Sequence, residues 1–189
     1  MLDIAGASLG ILVLLPLFCL IAAWIKFESR GPALFRQRRA GLDGKVFEIY
    51  KFRSMRVVED GETIVQAAQS DDRVTKLGAF LRRSCIDELP QLLNVLKGDM
   101  SLVGPRPHAM AHDTYYSAII PEYRSRLMVR PGIAGLAQVS GYRGATPTIE
   151  SMAGRVNLDR EYIATWSLTQ DLKVLMRAVT EGPFHPAAF

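Results

Sequence analysis

The chain has 189 residues, of which 49% are hydrophobic, and its formal net charge is +4 at neutral pH. This length suits one compact domain together with a membrane element. The two cysteines, Cys19 and Cys85, lie far apart and have no cysteine or histidine neighbours, which excludes a disulfide framework and a zinc motif. We therefore expect a reducing compartment.

Much of the apolar excess lies in the first 25 residues. No charged side chain occurs from Ile4 to Ile25, a run of 22 residues that would form a helix roughly 33 Å long. Pro16 lies near its middle, where it would remove a backbone hydrogen bond and kink the helix. The run can be a straight membrane span, a buried core helix, or a broken helix that enters the bilayer and returns. No small-residue cleavage pattern follows it, so we expect the segment to be retained.

A basic cluster follows the apolar run. Between Lys26 and Arg56 there are nine Lys or Arg residues and three acidic ones, a local net charge of +6. Such clusters stay on the cytoplasmic side of a membrane and attract anionic headgroups, although a plain solvated topology signal has the same composition. The cluster lacks interleaved aromatic residues, so we expect no nucleic-acid partner.

The next segments predict a hairpin and a helix. Ala33–Arg38 and Lys45–Phe52 contain strand formers, and Asp43-Gly44 between them is a typical turn pair. Residues 58–70 predict a surface connection. Asp71 then predicts a helix cap, and the following helix carries one apolar face, formed by Val74, Leu77, Phe80 and Leu81.

The second half predicts two more helices with rigid loops between them. "DELPQLLNVLKGD" predicts a helix that ends at Gly98 and has an apolar stripe of Leu89, Leu92, Leu93 and Leu96. "SLVGPRP" predicts a stiff loop because two prolines flank Arg106, and "PGIAGLAQVSGYRG" predicts loop and short strand. Residues 158–179 predict one long amphipathic helix, closed by Gly182-Pro183.

Adjacent carboxylates at Asp87-Glu88 are the first candidate for chemistry. Acidic residues are common at helix N-termini, so the pair can be a simple cap that complements the helix dipole. Two neighbouring carboxylates can also hold Mg²⁺, and an aspartate can act as a nucleophile toward phosphorus. Both interpretations remain open at this point.

Three cations could serve a phosphate substrate. "KFRSM" places Lys51 and Arg53 at a strand end, and "GPRP" places Arg106 in a stiff loop. Each alone is more often a surface cation, but together with a carboxylate pair they match the needs of phosphoryl transfer. His108 and His112 in "HAMAH" lack the glutamate of a zinc-protease motif, so we expect no metal there.

Four segments together resemble the bacterial sugar transferase family, the monotopic phosphoglycosyl transferases. They are "FRQRRAGLDGKVFEIYKFRSM", "RRSCIDELPQLLNVLKGDMSLVGPRP", "RPGIAGLAQVSG" and "YIATWSLTQDLKVL". The resemblance implies transfer of a sugar-1-phosphate from a UDP-sugar to polyprenyl (undecaprenyl) phosphate, the first step of surface polysaccharide synthesis. "RPHAMAHDTYYS" resembles the branch that uses neutral hexoses, so UDP-glucose or UDP-galactose is favoured.

The resemblance also implies a fold and a location. The expected fold is α+β and mostly helical, with a small β-hairpin and amphipathic interfacial helices around a cytoplasmic active site. Residues 1–27 would form a re-entrant helix broken at Pro16, and residues 28–189 a catalytic domain on the cytoplasmic face of the bacterial inner membrane. Family members break this helix at a Ser-Pro pair, whereas the pair here is Leu15-Pro16. Membrane lipids are expected partners, and oligomer formation is left open.

Site roles follow residue by residue from the resemblance. Asp87 would be the nucleophile that displaces UMP and carries the phosphosugar, and Glu88 its partner at Mg²⁺. Phosphates would be neutralised by Lys51, Arg53 and Arg106, and Asp159 in "NLDREY" matches another acidic position of the family site. The competing hypothesis is a non-catalytic membrane adaptor, in which "DELPQL" is merely a capped helix.

Overall fold

The computed structural model describes residues 2–56, 71–144 and 146–181. Within these ranges the chain is mostly helical, with two small sheets, as expected. The helices are α1 (Leu2–Glu28), α2 (Lys76–Arg83), α3 (Leu92–Lys97), α4 (Met110–Ile119), α5 (Leu136–Val139), α6 (Ile149–Ala164) and α7 (Leu168–Thr180). The strands are β1 (Leu34–Ala40), β2 (Val46–Phe52), β3 (Ser101–Val103) and β4 (Gly132–Ala134). Three short 3₁₀ segments cover Leu42–Gly44, Ile86–Gln91 and Tyr123–Met128.

Helix α1 packs along one stripe and leaves the rest of its apolar surface uncovered. Ala7, Ile21 and Ile25 are buried, at a spacing that repeats on one helix face. The first half of the stripe contacts α3 and β3, and the second half contacts Phe52 and α2. Ten large apolar side chains of α1 remain exposed: Leu2, Ile4, Leu9, Leu12, Val13, Leu15, Leu17, Leu20, Trp24 and Phe27.

This exposure decides against one of the three interpretations of the apolar run. A buried core helix would hide its apolar side chains, whereas only 11% of the most apolar part of α1 is buried. In the described part of the chain, α1 is the one helix with the length and composition to cross a membrane. The structure assigns Leu2–Glu28 as one helix that includes Pro16, so the expected break at Pro16 stays a prediction.

The predicted hairpin is confirmed. Strands β1 and β2 pair antiparallel, in a register that runs from Leu34 opposite Phe52 to Ala40 opposite Val46. At the turn, Asp43 and Gly44 have φ values of 55° and 75°, the left-handed conformation that this residue pair tolerates.

Helix α2 begins later than expected because a different residue caps it. Thr75 Oγ1 accepts a hydrogen bond from the amide of Gly78 at 2.9 Å, whereas Asp71 binds the Arg73 guanidinium. The predicted Asp71 cap is therefore wrong. Phe80 is also exposed rather than packed, and the predicted connection at 58–70 lies outside the described residues.

The segment "DELPQLL" folds as a 3₁₀ turn that leads into α3. Gly98 ends α3 with a φ of 82°, as predicted. Asn94 of α3 ties this helix to the hairpin, because its amide accepts from Tyr50 N at 3.0 Å and donates to Glu48 O at 2.6 Å. These bonds satisfy backbone hydrogen-bonding groups at the edge of β2 and hold the carboxylate-bearing turn beside Lys51.

The predicted single helix over residues 158–179 is wrong. The chain forms α6 and α7, which are separated at Thr165–Ser167. Ser167 starts the second helix by accepting a hydrogen bond from Gln170 N at 3.2 Å, a typical N-cap. Helix α7 buries Val174 and exposes Leu168, Leu172, Met176 and Val179. The predicted Gly182-Pro183 stop lies outside the described residues.

Candidate active site

The carboxylate pair lies in the 3₁₀ segment Ile86–Gln91 and is buried. Asp87 is 8% and Glu88 9% exposed. Cys85 occupies the N-cap with a left-handed φ of 62° and makes no side-chain cap. Because charged carboxylates are rarely buried unless they are paired, their burial favours the chemical interpretation over a solvated helix cap.

Glu88 is the centre of an ion-pair cluster built from three separate parts of the chain. Lys51 Nζ of β2 lies 2.6 Å from Glu88 Oε1. Arg106, in the loop after β3, donates Nη2 to Oε1 at 2.5 Å and Nη1 to Oε2 at 2.9 Å. The structure thus brings two of the predicted site residues, Lys51 and Arg106, into contact with Glu88, with Asp87 adjacent in the same turn.

The two carboxylates differ in acidity. Burial, and then the negative charge of Glu88, raise the pKa of Asp87 to about 6. Burial also opposes the charge of Glu88, but Arg106 and Lys51 outweigh it and hold the pKa of Glu88 well below its usual value. Asp87 is therefore the more basic carboxylate of the pair, and Glu88 is a permanent anion.

The two cations are also unequal. Burial lowers the pKa of Lys51 by more than its contact with Glu88 raises it. Arg106 is buried too, yet the Glu88 carboxylate keeps its pKa above the ordinary value. Arg106 therefore carries a fixed charge, and its planar guanidinium is suited to bidentate anion binding.

Arg53 lies apart from this cluster. Its guanidinium donates to the carbonyl oxygens of Ser29 at 2.7 Å and Arg30 at 2.8 Å, where α1 ends. These bonds satisfy backbone acceptors after the last turn of α1. The geometry shows Arg53 holding the end of α1 on the hairpin, and its expected contact with a substrate phosphate stays a prediction.

Asp159 is fully enclosed and reaches the cluster only through Arg126. The Asp159 carboxylate pairs with Arg126 Nη2 at 2.8 Å, and the same nitrogen donates to the backbone oxygen of Arg106 at 2.5 Å. Arg126 also contacts the ring of His108, whose pKa is held well below its usual value by burial and by Arg126 and Arg155. Asp159 therefore braces the Arg106 loop through Arg126, and its expected role toward the substrate stays a prediction.

Sequence reasoning missed Arg126 and Arg143. Arg126 is 3% exposed and braces the Arg106 loop, but nothing near it in "EYRSRLM" distinguishes it from the other arginines. Arg143 donates to Cys85 Sγ, two residues before Asp87. The glycine-rich stretch "SGYRG" was the available signal for Arg143, because glycines mark a tight turn in the chain. Gly141 makes this turn two residues before Arg143, with a φ of 97°.

The Asp87 and Glu88 carboxylates are the candidate ligands for the expected Mg²⁺. Three hydrogen bonds occupy Glu88, which leaves about one of its roughly four lone-pair sites, and the basic Asp87 carboxylate lies beside it. The described residues contain no group of three or more His, Cys, Asp and Glu side chains that could hold a metal. Since Mg²⁺ is commonly bound by one or two carboxylates plus substrate phosphates, the pair fits it.

Comparison with known sequences identifies the family of the chain. The profile described as "Bacterial sugar transferase" matches residues 1–183. The chain belongs to the bacterial sugar transferase family. The match includes the hairpin, the carboxylate turn and the Arg106 loop, which together form the cluster.

Three relatives illustrate the similarity within the bacterial sugar transferase family. The UDP-glucose:undecaprenyl-phosphate glucose-1-phosphate transferase of Caulobacter vibrioides is 58% identical, over 94% of this chain and 67% of its own length. The Escherichia coli protein of the same name is 50% identical, over 99% of this chain and 40% of its own length. The exopolysaccharide production protein PSS of Rhizobium leguminosarum is 42% identical, over 94% of this chain and 90% of its own length. The chain thus spans less than half of the length of some of these relatives and most of the length of others.

Proposed function

We propose that the protein is a phosphoglycosyl transferase that moves glucose-1-phosphate from UDP-glucose to polyprenyl phosphate and releases UMP. The observation that carries the proposal is the buried cluster in which Lys51 and Arg106 face Glu88, with the more basic Asp87 beside them. A non-catalytic adaptor gives no reason to bury four ionisable groups from three parts of the chain, because burying charge is costly.

The choice of sugar rests on the relatives. The Caulobacter and Escherichia coli proteins carry UDP-glucose in their names, whereas a 40% identical Streptococcus agalactiae relative is named a galactosyl transferase. UDP-glucose is therefore the preferred donor, and UDP-galactose the second. The same names supply undecaprenyl phosphate as the expected acceptor.

In the first step a carboxylate oxygen of Asp87 attacks the β-phosphorus of UDP-glucose. The bond between this phosphorus and the bridging oxygen breaks, UMP leaves with the electron pair, and glucose-1-phosphate remains bound to Asp87 as an acyl phosphate. Lys51 and Arg106 neutralise the charge on the phosphate oxygens as the pentavalent geometry forms. Burial makes the Asp87 carboxylate more basic and so more nucleophilic.

In the second step an oxygen of polyprenyl phosphate attacks the same phosphorus and frees the Asp87 carboxylate. The product is a polyprenyl diphosphate sugar, and the enzyme returns to its starting charge. This ping-pong order suits one soluble and one membrane-bound substrate, because the two need not meet. Mg²⁺, held by Asp87 and Glu88 when it is bound, would supply positive charge to the diphosphate.

We also infer that α1 is re-entrant and that the site lies at the cytoplasmic face of the inner membrane. The Asp3 carboxylate at the start of α1 accepts from Leu102 N at 3.0 Å and Ser101 Oγ at 2.9 Å, while Ile25 near its end packs with Phe52. Contacts with one domain at both ends of a helix about 40 Å long support a topology in which both ends lie on the same side of the membrane as the domain.

A donor panel tests the proposal. Purified protein in detergent is incubated with Mg²⁺, undecaprenyl phosphate and, in turn, UDP-glucose, UDP-galactose and UDP-N-acetylglucosamine, and UMP is measured. We expect release of UMP and formation of a glucose-bearing lipid with UDP-glucose at the highest kcat/KM. Absence of UMP with every donor would contradict the proposal, and a higher value with UDP-galactose would correct the sugar alone.

A further inference from the structure

A cavity of about 290 Å³ lies next to the carboxylate turn. Most of its wall is aliphatic, from α3, β3, β4, α5 and α7. These apolar wall residues include Leu89, Leu92, Leu102, Ile133, Val139 and Leu175. No aromatic side chain lines it in the described part of the chain, so the wall offers no stacking surface for a nucleobase.

The two ends of this cavity differ in character. Glu88, Cys85 and Arg143 belong to one part of its wall, which places it beside the Asp87 carboxylate. Val179 of α7 is 75% exposed, and the wall residues Arg177 and Glu181 beside it form an exposed ion pair, so the cavity also reaches the surface of α7. The cavity thus connects the exposed surface of α7 to a cation next to the catalytic pair.

The cavity also lies at the level of the membrane helix. Leu92 and Leu102, two of its wall residues, pack against α1 at Gly10 and Gly6. An ideal Cβ at Gly6 would lie 2.8 Å from Leu102 Cδ1, so α1 closely covers this side of the wall. Helix α7, which forms the mouth, presents its own exposed stripe of Leu172, Met176 and Val179.

We propose that this cavity binds the first isoprene units of the polyprenyl phosphate acceptor, with the acceptor phosphate at the Arg143 end. The inference rests on the proposed function and adds the acceptor's binding site to it. An aliphatic wall matches a hydrocarbon chain, and a guanidinium beside the carboxylate turn matches a phosphate. The volume is near the lower limit of about 300 Å³ for small-molecule pockets, so only a short segment of the chain enters.

Filling the cavity separates acceptor binding from donor chemistry. Ala178→Phe adds a ring at a half-buried wall position of α7, and Thr169→Phe adds the same ring at an exposed position of α7 outside the wall. Both variants, in nanodiscs of phosphatidylglycerol and phosphatidylethanolamine, are given UDP-glucose without acceptor and then chased with undecaprenyl phosphate. We expect Ala178→Phe to acquire the phosphosugar as wild type does, but to raise the KM for undecaprenyl phosphate about tenfold or more.

Photocrosslinking provides a readout that needs neither turnover nor a folded variant. A diazirine-bearing geranylgeranyl phosphate is crosslinked to wild type in the same nanodiscs, and the labelled peptides are sequenced. Labels on α5, α7 and the Leu89–Leu92 turn support the site, and competition by undecaprenyl phosphate identifies the ligand class. Labels confined to other segments, or equal transfer by Ala178→Phe and wild type, overturn it. Loss of phosphosugar formation in wild type, with these labels retained, would instead reject the proposed function alone.

Discussion

At the residue scale, Asp87 and Glu88 are sequence neighbours with opposite electrostatic properties. Glu88 is held ionised by two cations, and Asp87 is held at a higher pKa by burial and by the charge of Glu88. Pairs of titratable groups whose environments separate their pKa values commonly mark acid, base or nucleophile assignments. The structure therefore distinguishes two carboxylates that the sequence alone treats alike.

Asp87→Asn is the sharpest test of the nucleophile. An amide is a far poorer nucleophile than a carboxylate, so we expect transfer to fall by about 10⁴-fold or more while the fold is retained. Asp99→Asn, which changes a carboxylate outside the cluster, is the matched control and should remain active. Intact-mass analysis after incubation with UDP-glucose without acceptor should find the phosphosugar on wild type and not on Asp87→Asn. Near-normal turnover in a folded Asp87→Asn variant would refute the assignment.

The rate of phosphosugar formation should depend on pH through Asp87. The reactive form is the carboxylate, and its pKa is about 6, so kcat/KM for UDP-glucose should rise as pH increases through about 6 and then level off. Limiting Mg²⁺ is used, since a bound cation would move the midpoint lower. Glu88 should not add a second step there, because its pKa lies well below its usual value. A kcat/KM for UDP-glucose that stays constant from pH 5 to 8 would contradict this prediction.

At the element scale, the parallel pair of β3 and β4 positions Arg106. Gly104 N donates to Ala134 O at 2.9 Å, and Gly132 N donates to Pro105 O at 2.9 Å, so the "GPRP" loop is held on both sides by backbone bonds. An added Cβ at Gly132 would lie 2.0 Å from Gly104 N. Only glycine permits this approach, which explains "RPGIAG" as packing support for the loop that carries Arg106.

Gly132→Ala should accordingly impair both stability and activity. Overpacking against backbone costs about 1–3 kcal/mol, and a displacement of Arg106 by about 1 Å can reduce turnover about 10²-fold. Thermal unfolding and UMP release measure the two effects. Gly10→Ala is the matched control, because its Cβ would meet only the end of the flexible Leu92 side chain, at 3.2 Å. Equal thermal stability and equal UMP release in the two variants would show that the close contact between Gly132 and Gly104 is unimportant.

At the scale of the whole molecule, the domain and α1 form one packed unit. The stripe of α1 that faces the domain extends from Asp3 to Ile25, and the opposite apolar face of α1 is exposed. Arg53 fastens the end of the helix to the hairpin. The membrane element is therefore part of the catalytic body's packing, and the topology of one determines that of the other.

Cysteine labelling tests this topology. Leu2→Cys at the start of α1 and Asp43→Cys at the exposed hairpin turn are introduced separately into a background without Cys19 and Cys85. An impermeant maleimide applied to intact cells should label neither, and should label both after the inner membrane is permeabilised. Labelling of Leu2→Cys alone in intact cells would mean a straight span, and the re-entrant proposal would fail.

The proposed metal dependence is also a property of the assembled molecule. Because a diphosphate must approach two carboxylates, excess EDTA should abolish UMP release and added Mg²⁺ should restore it. A second readout is the thermal midpoint, which Mg²⁺ with UDP-glucose should raise in wild type and much less in Asp87→Asn. Full activity in excess chelator would remove Mg²⁺ from the proposal.

The sequence by itself determined the features that depend on local pattern. The charge-free run, the Asp43-Gly44 turn, the stop at Gly98 and the site candidates Lys51, Asp87, Glu88 and Arg106 are all visible in it. Hydrophobic periodicity and turn chemistry act over a few residues, so they can be read without the fold. The four segments that carry the resemblance to the family are a separate feature of the sequence.

Only the tertiary structure decided which side chains meet. Long-range packing places Arg53 at the end of α1 and Asp159 on Arg126, contacts that the sequence did not predict. Thr75 replaced Asp71 as a cap, and Ser167 divided the expected last helix, because alternative polar residues compete for the same backbone amides. Burial and charge pairing across distant segments set these outcomes, and neither is encoded in the spacing of residues along the chain.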